Sequence, residues 1–294
     1  MKHVCASILL LLSVLMMSSC SHSHSQNEFS VMEGPYLGQI PPGSTPEIFA
    51  PGIVNTKASS AHEGMFAPGM KAFYFVRTGG TYKTPRLVVI EYKNNQWQES
   101  IVKPGESEPS ISPDGMTLYL QNKYMERTSA GWSELKTLGA PFKDILIMRI
   151  SVASNETYYF DTYSRELDTP LRYSRLIDGK YEQPKSLGPQ FAIGTYNAHP
   201  FVAPDDSYII WDSVRENGFG SSDLYISFRA ADGSWGPAIN MGDKINTASA
   251  ENYPSVSPDG KFLFFDRRVK PRNNTELDMY WVDAQIIENL RPEP

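Results

Sequence analysis

The chain has 294 residues, with 27 basic and 33 acidic side chains and a net charge of −6 at pH 7. Hydrophobic residues make up 40% of it and aromatic residues 12%, enough for one large core or two ordinary ones. An acidic chain lacks the basic surface that binds phosphate backbones, so nucleic acid is excluded as an expected partner.

The first 19 residues have the pattern of an export signal. A short basic start precedes the apolar run "VCASILLLLSVLMM", which is too short to span a membrane comfortably. The run ends in "MSSC", which resembles the lipobox of bacterial lipoproteins, although Met17 stands where leucine is usual. The resemblance implies cleavage before Cys20 and lipid on its sulfur and on the new amino terminus. An ordinary secretory signal with an incidental cysteine is the alternative.

Residues 20–45 are rich in serine, proline and glycine, as in "SHSHSQNEFS" and "IPPGS", and we interpret them as a flexible tether. Cys5 lies inside the predicted signal, so the mature chain would keep Cys20 alone and form no internal disulfide. No later apolar run approaches the length of a membrane span, so we expect membrane contact through the lipid anchor only. Residues 46–294 are predicted to form a single domain.

A turn between two apolar strands recurs along this domain. Three copies match without a gap: "EPSISPDGMTLYLQ" (Glu108 to Gln121), "HPFVAPDDSYIIWD" (His199 to Asp212) and "YPSVSPDGKFLFFD" (Tyr253 to Asp266). Two weaker copies are "EGMFAPGMKAFYFV" (Glu63 to Val76) and "MRISVASNETYYFD" (Met148 to Asp161). A spacing of 40 to 54 residues suits one four-stranded sheet per repeat, as in a propeller blade.

A second pattern, an aromatic residue shortly before a glycine, marks the outer strands of four blades. We interpret the four aromatic residues as packing elements: Trp97, Trp132, Tyr181 and Trp235. For the fifth outer strand, "PEIFAPGIVNT" (46–56) resembles "PAINMGDKINT" (237–247), so the N-terminal strand is predicted to complete the last blade. The predicted fold is all-β, a five-bladed β-propeller closed by both ends of the domain. Six blades are disfavoured because too few residues are unassigned.

The "SPDG" turn followed by an apolar strand resembles the PD40 repeat of TolB-like and WD40-like bacterial β-propellers, over roughly residues 46–290. Such proteins include envelope scaffolds, ligand-binding proteins and carbohydrate-active enzymes, so the resemblance implies a fold and leaves the activity open. Together with the lipobox, it implies a lipoprotein of the bacterial envelope. We expect it in the outer membrane, facing the periplasm or the cell surface.

In such a blade the innermost strand runs from the ligand-bearing face to the turn, and the second strand returns to that face. Residues five before the turn proline and eight after it therefore meet at the mouth of the central funnel. The candidate ligand-binding residues lie at or beside these two positions: Glu63, Glu108, His199, Tyr253, Asp161, Asp212, Asp266, His62, Asn252, Arg77 and Arg267.

The alternative for the three aspartates is a structural bond to a neighbouring backbone amide. The position shared by Glu108, His199 and Tyr253 varies in size and polarity between repeats, so we expect little structural demand there.

Two functions are compatible with this set. A histidine, a phenol and a carboxylate around one axis suit a sugar or a peptide, which predicts an envelope protein that binds a glycan or a protein partner. Paired carboxylates at a suitable separation would instead serve a glycoside hydrolase or a polysaccharide lyase. His62 and His199 lack a metal-ligand spacing and no cofactor motif occurs, so we expect neither a metal nor a cofactor. We expect a monomer.

The lipid anchor leads to a direct test in cell fractions. Replacing the cysteine, Cys20→Ser, removes the thiol that would carry the lipid, so the variant should leave the membrane fraction and become soluble. Immunoblots of membrane and soluble fractions measure this, with Cys5→Ser as the matched control. Retention of Cys20→Ser in the membrane fraction would contradict the lipoprotein interpretation.

Overall fold

The computed structural model of the protein describes residues 34–165, 170–269 and 277–293. The predicted signal, Cys20 and the tether up to residue 33 lie outside the described residues. No helix in the described ranges has the length and apolar character of a transmembrane segment. Residues 34–45, which their composition assigns to the tether, lie against the domain. Leu37 is buried, and the Trp97 indole donates a hydrogen bond to the Gly34 carbonyl at 2.8 Å.

The described strands form five antiparallel four-stranded sheets, which confirms the predicted five-bladed propeller. Blade 1 comprises β2 (Ser60–Phe66), β3 (Ala72–Gly79), β4 (Tyr82–Lys93) and β5 (Gln96–Pro104). Blade 2 comprises β6 (Pro109–Ile111), β7 (Thr117–Leu120), β8 (Lys123–Thr128) and β10 (Lys136–Thr137), with β9 (Gly131–Trp132) paired to β8. Blade 3 comprises β11 (Ile147–Val152), β12 (Tyr158–Thr162), β13 (Arg172–Ser174) and β16 (Lys185–Ser186), with a hairpin of β14 (Leu176–Ile177) and β15 (Lys180–Tyr181).

The last two blades include the junction between the ends of the domain. Blade 4 comprises β17 (Thr195–Val202), β18 (Tyr208–Val214), β19 (Asp223–Phe228) and β20 (Ile239–Asn240). Blade 5 comprises β21 (Glu251–Val256), β22 (Phe262–Arg268), β23 (Leu277–Asp283) and β1 (Glu47–Ile48). Helical structure in the described residues is short: two 3-10 turns, Tyr36–Gly38 and Pro189–Phe191, and the helix α1, Gln285–Asn289.

The recurrent turn joins the two innermost strands of each blade through a local hydrogen bond and a left-handed glycine in the "SPDG" copies. In the "SPDG" copies, Asp114 and Asp259 accept hydrogen bonds from the serine hydroxyl two residues earlier, at 2.5 and 2.6 Å. The following glycine, Gly115 or Gly260, has a φ of 74° or 72°, which only glycine adopts without strain. Because the turn follows the innermost strand in every blade, all innermost strands run in the same direction along the central channel, towards the turns.

The N-terminal strand completes blade 5, as predicted: β1 pairs antiparallel with β23, with Glu47 opposite Trp281. A buried amide then extends this pairing. Asn55 Nδ2 donates to the carbonyls of Phe49 and Met279 at 2.6 and 3.1 Å, and Asn55 Oδ1 accepts from the Met279 amide at 2.8 Å.

Blade 4 repeats this arrangement with an asparagine at the equivalent position of the matched segment. Asn246 Nδ2 donates to the Leu224 carbonyl at 3.0 Å, and Asn246 Oδ1 accepts from the Leu224 amide at 2.8 Å. The two matched segments therefore have the same structural role. Each supplies the outer strand of a blade and then an asparagine whose side-chain amide hydrogen-bonds to the backbone of the third strand.

Aromatic packing joins blade 5 to blade 1 behind this closing strand. Phe49 is fully buried, and its ring centre lies 4.7 Å from that of Phe73 and 5.1 Å from those of Phe264 and Trp281. The strands that supply these rings are apolar on both faces because a blade packs against a neighbour on each side. The closure is therefore made of core packing as well as backbone hydrogen bonds.

We predict that Phe49→Ala lowers the free energy of unfolding by ~3–5 kcal/mol, because it leaves a cavity in this core. The neighbouring Ile48 is 37% exposed, and Ile48→Ala should cost under ~1 kcal/mol. Urea denaturation followed by circular dichroism measures both. Equal effects of the two substitutions would contradict closure through the N-terminal segment.

Candidate functional site

The residue five before the turn has a left-handed backbone in four of the five blades; in three of them it lies in a β-bulge, whereas Glu108 lies just before β6. The backbone there takes left-handed φ values of 62° at Glu63, 59° at Glu108, 50° at His199 and 55° at Tyr253. The strand pairings of β2, β17 and β21 shift register at these points. A bulge re-aims a side chain and leaves its amide out of the ladder, so each of these residues needs another partner for its N–H.

The acidic side chains supply those partners across the blade junctions. Asp266 Oδ2 accepts from the Glu63 amide at 2.6 Å, and Glu63 Oε2 accepts from the Glu108 amide at 2.5 Å. Asp161 Oδ2 accepts from the His199 amide at 2.8 Å.

Asp212 completes the set, since its Oδ1 accepts from the Tyr253 amide at 3.2 Å. The three aspartates therefore have the structural role that was the alternative interpretation. We call these four acids and the amides they bind the junction ring.

His199 is buried within this ring, with 1% of its surface exposed. Its Nδ1 lies 2.7 Å from Asp212 Oδ1, its Nε2 lies 3.9 Å from Glu108 Oε1, and its ring centre lies 3.8 Å from that of Tyr253. Burial disfavours the charged imidazole, but the charges of Asp212 and Glu108 outweigh burial and raise the pKa of His199 to about 9. His199 is therefore a buried cation at neutral pH.

The expectation of little structural demand at this position is wrong for His199. Its amide bonds Asp161 of blade 3, while its ring bonds Asp212 within blade 4 and packs on Tyr253 of blade 5. Variation between repeats reflects different neighbours at each junction, and it does not indicate freedom from packing.

A second buried group lies at the junction of blades 5 and 1. His62 Nδ1 lies 2.9 Å from Glu63 Oε1. Burial favours the neutral acid at Glu63, but the charge of His62 and its hydrogen bond outweigh burial and lower the pKa of Glu63. Burial raises the pKa of Asp266 to about 7, and burial together with the Glu63 charge raises the pKa of Glu108 well above its usual range.

The two predicted arginines lie away from this group. Arg77 donates to both carboxylate oxygens of Glu99 at 3.0 and 3.1 Å, and Arg267 Nε donates to Glu251 at 2.8 Å. Arg77 also donates to the Ile53 carbonyl at 2.9 Å, and Arg267 to the Ile245 carbonyl at 2.8 Å. Both guanidinium groups therefore fix connecting segments on the mouth side of blades 1 and 5.

A pocket of about 340 Å³ lies at the mouth, beside blades 4 and 5. We call it the mouth pocket, and its walls include Tyr196, Asn252, Tyr253 and Arg268. Asn252 and Tyr253 were predicted from their position, whereas Tyr196 and Arg268 were not. Alternation along β22 is a signal for Arg268, since it projects to the opposite face from Arg267. Tyr196 has no such signal, because its direction depends on a left-handed backbone with a φ of 55°.

Asn252 is held in place on the wall of this pocket. Its Nδ2 donates to Asp212 Oδ2 at 2.9 Å and to Ser222 Oγ at 3.3 Å. No group of three metal-ligating side chains is suitably placed within the described ranges of the chain. The chemistry at the mouth is therefore that of aromatic faces, an amide and a guanidinium around a rigid polar ring.

The chain matches no protein-family model, and it matches no curated protein. Among solved structures it is similar to TolB from Acinetobacter baumannii, at 14% identity and a TM-score of 0.51, with 78% of this chain and 55% of TolB covered. The chain thus spans about half the length of that TolB.

It is also similar to the catalytic domain of the GH62 alpha-L-arabinofuranosidase of Coprinopsis cinerea, at 10% identity and a TM-score of 0.54, covering 82% of this chain and 97% of that one. These likenesses show a shared propeller fold.

The buried histidine predicts how stability depends on pH. The pKa of His199 is raised from 6.5 to about 9 by folding, so its stabilising effect is fully present below pH 6.5 and is lost as the pH rises through 9. Between these pH values the free energy of unfolding should fall, by on the order of 2–3 kcal/mol from this group. Urea denaturation of the wild type and of His199→Gln at both pH values tests this. An equal fall in the two proteins would contradict the assignment.

Proposed function

We propose that this protein binds a glycan or a protein partner at the mouth pocket of its propeller. The observation that carries the proposal is the pocket itself, where the rings of Tyr196 and Tyr253 and the side chains of Asn252 and Arg268 line one concave surface. Aromatic faces pack against sugar rings or peptide side chains, and an amide and a guanidinium supply oriented hydrogen bonds.

The pocket wall is held in position before any ligand binds. The Tyr253 amide is bonded to Asp212, and its ring packs on His199 at 3.8 Å between centres. Arg268 Nε is buried and has no hydrogen-bond partner among the described residues, so a ligand that reaches it would satisfy this donor. A pre-organised surface loses little conformational entropy on binding, which favours recognition.

The same geometry favours binding over catalysis. A glycoside hydrolase needs two carboxyl groups that face the substrate across the scissile bond. Glu63, Asp161, Asp212 and Asp266 instead each accept a backbone N–H, and their bonds hold blades together. The fold that this chain shares with arabinofuranosidases therefore does not favour the alternative function, a glycan-active enzyme.

The proposal extends to the place where the protein acts. The lipobox-like sequence ending at Cys20 supports export and lipid anchoring in the bacterial envelope, with the propeller facing the aqueous phase. The five blades close within the described part of one chain and need no strand from a second copy, and we propose a monomer. A ligand of this compartment, an envelope glycan or an envelope protein, is the partner class that fits both the anchor and the pocket.

Binding can be tested with purified protein against a panel of soluble envelope polysaccharides and envelope proteins, by biolayer interferometry. For the ligand found, Tyr196→Ala should weaken binding by about tenfold or more, because loss of one aromatic contact removes on the order of 1–2 kcal/mol. Ile101 is 52% exposed on the outer strand β5, so Ile101→Ala is the matched control and should bind as the wild type does.

Two results would contradict the proposal. Unchanged binding by Tyr196→Ala would move the site to another surface. Release of shorter fragments from a polysaccharide on incubation with the protein, detected as new reducing ends, would show an enzyme in place of a binding protein.

A further inference from the structure

The central channel has a second cavity at its other end, among the turns. It has a volume of about 280 Å³, and we call it the turn-face cavity. Its rim is formed by the turn prolines, and its walls include Phe66, Ile111, Phe201, Val256 and, deeper, Arg149. The innermost strands run from the mouth to the turns, so this cavity and the mouth pocket lie at opposite ends of the channel.

Arg149 is the one arginine among the residues that line this cavity, and 2% of its surface is exposed. Its backbone amide is bonded to Asp161 Oδ1 at 2.7 Å in β11, where the pairing with β12 shifts register. Its guanidinium lies 6.0 Å from the centre of the Tyr253 ring. Nη1 is buried and has no hydrogen-bond partner within the described part of the chain.

A buried guanidinium N–H without an acceptor is costly, and in folded proteins a polar group, a counter-ion or a ligand usually accepts its hydrogen bond. The serines beside it do not complete it. Ser151 Oγ accepts from the Val202 amide at 2.8 Å, and Ser255 Oγ donates to the Gly64 carbonyl at 2.6 Å, so both hydroxyls serve blade junctions. Nη1 of Arg149 therefore lacks an acceptor in the described part of the chain, and a carboxylate in the cavity would supply one.

The walls and the surrounding charge define the class of that molecule. Apolar side chains from several blades line the cavity, so an apolar body is favoured there over a strongly hydrated one. Glu63, the acid on the mouth side whose pKa is lowered, interacts electrostatically with Arg149 and offsets part of its charge, which opposes the binding of a dianion more than that of a monoanion.

We propose that the turn-face cavity is a second binding site, which takes a small monocarboxylate with an apolar body. The carboxylate accepts hydrogen bonds from the Arg149 guanidinium, and the apolar body lies between Phe66, Ile111, Phe201 and Val256. The site is distinct from the mouth pocket, since no residue of the described ranges lines both cavities.

Hexanoate is the probe, and hexan-1-ol, which has the same chain without the charge, is its matched ligand control. Isothermal titration calorimetry at pH 7 should show one hexanoate bound per chain, with hexan-1-ol at least about tenfold weaker, as expected for a charge-assisted hydrogen bond. Arg149→Met keeps an unbranched side chain and removes the charge, so it should weaken hexanoate binding to the level of the alcohol. Arg175 is an exposed arginine on blade 3, and Arg175→Met should bind hexanoate normally.

A second variant tests the cavity even if Arg149→Met does not fold. Ile111→Trp keeps Arg149 and fills the cavity, so it should also abolish hexanoate binding. The proposal is overturned if hexanoate does not bind the wild type, if it binds no better than hexan-1-ol, or if Ile111→Trp binds it normally. In those cases Arg149 serves as an internal counter-charge to the acids on the mouth side.

Discussion

The structure depends on one kind of contact, an acidic side chain in one blade that accepts the backbone N–H of the next. Bulges at Glu63, His199 and Tyr253, and the position of Glu108 before β6, leave those amides outside the strand ladder, and the acids of the junction ring accept their hydrogen bonds. An unmet buried amide costs about 1–3 kcal/mol, so each bulge and its acid stabilise one another. The bulge thus aims a side chain at the channel and bonds its blade to a neighbour.

Closure of the propeller depends on strand pairing and aromatic packing, in addition to the acid-to-amide bonds of the junction ring. The pairing of β1 with β23 is short, and the aromatic core around Phe49 and the amide of Asn55 extend it. Asn246 makes the equivalent bonds in blade 4, which shows that closure reuses the internal design of a blade. The N-terminal segment therefore makes the same kinds of contacts as the outer strand of blade 4, and the third strand of blade 5 is paired at the junction of the two ends.

The buried charges give the two ends of the channel different characters. Towards the mouth, protonated His199 and the acids of the junction ring hold a rigid polar layer beneath Tyr253. Towards the turns, apolar walls surround the guanidinium of Arg149. Because groups in the two layers interact electrostatically, the charge at one end bears on the other, and the low dielectric of the channel strengthens this coupling.

The repeat, the turns and the closing strand could be predicted from the sequence, because each depends on short sequence patterns. Proline, aspartate and glycine at fixed offsets make the turn, and the match between residues 46–56 and 237–247 identifies the fifth outer strand. The sequence also places the polar residues of the mouth, since strand direction follows from the turn.

Only the tertiary structure decided what those residues do. Whether Asp212 meets a backbone amide or faces a pocket depends on a bulge 41 residues away in the next blade. The directions of Tyr196 and Arg149 depend on left-handed or shifted backbone, which breaks the alternation from which side-chain direction is predicted. Packing between blades sets these distances, and no local pattern in the chain encodes them.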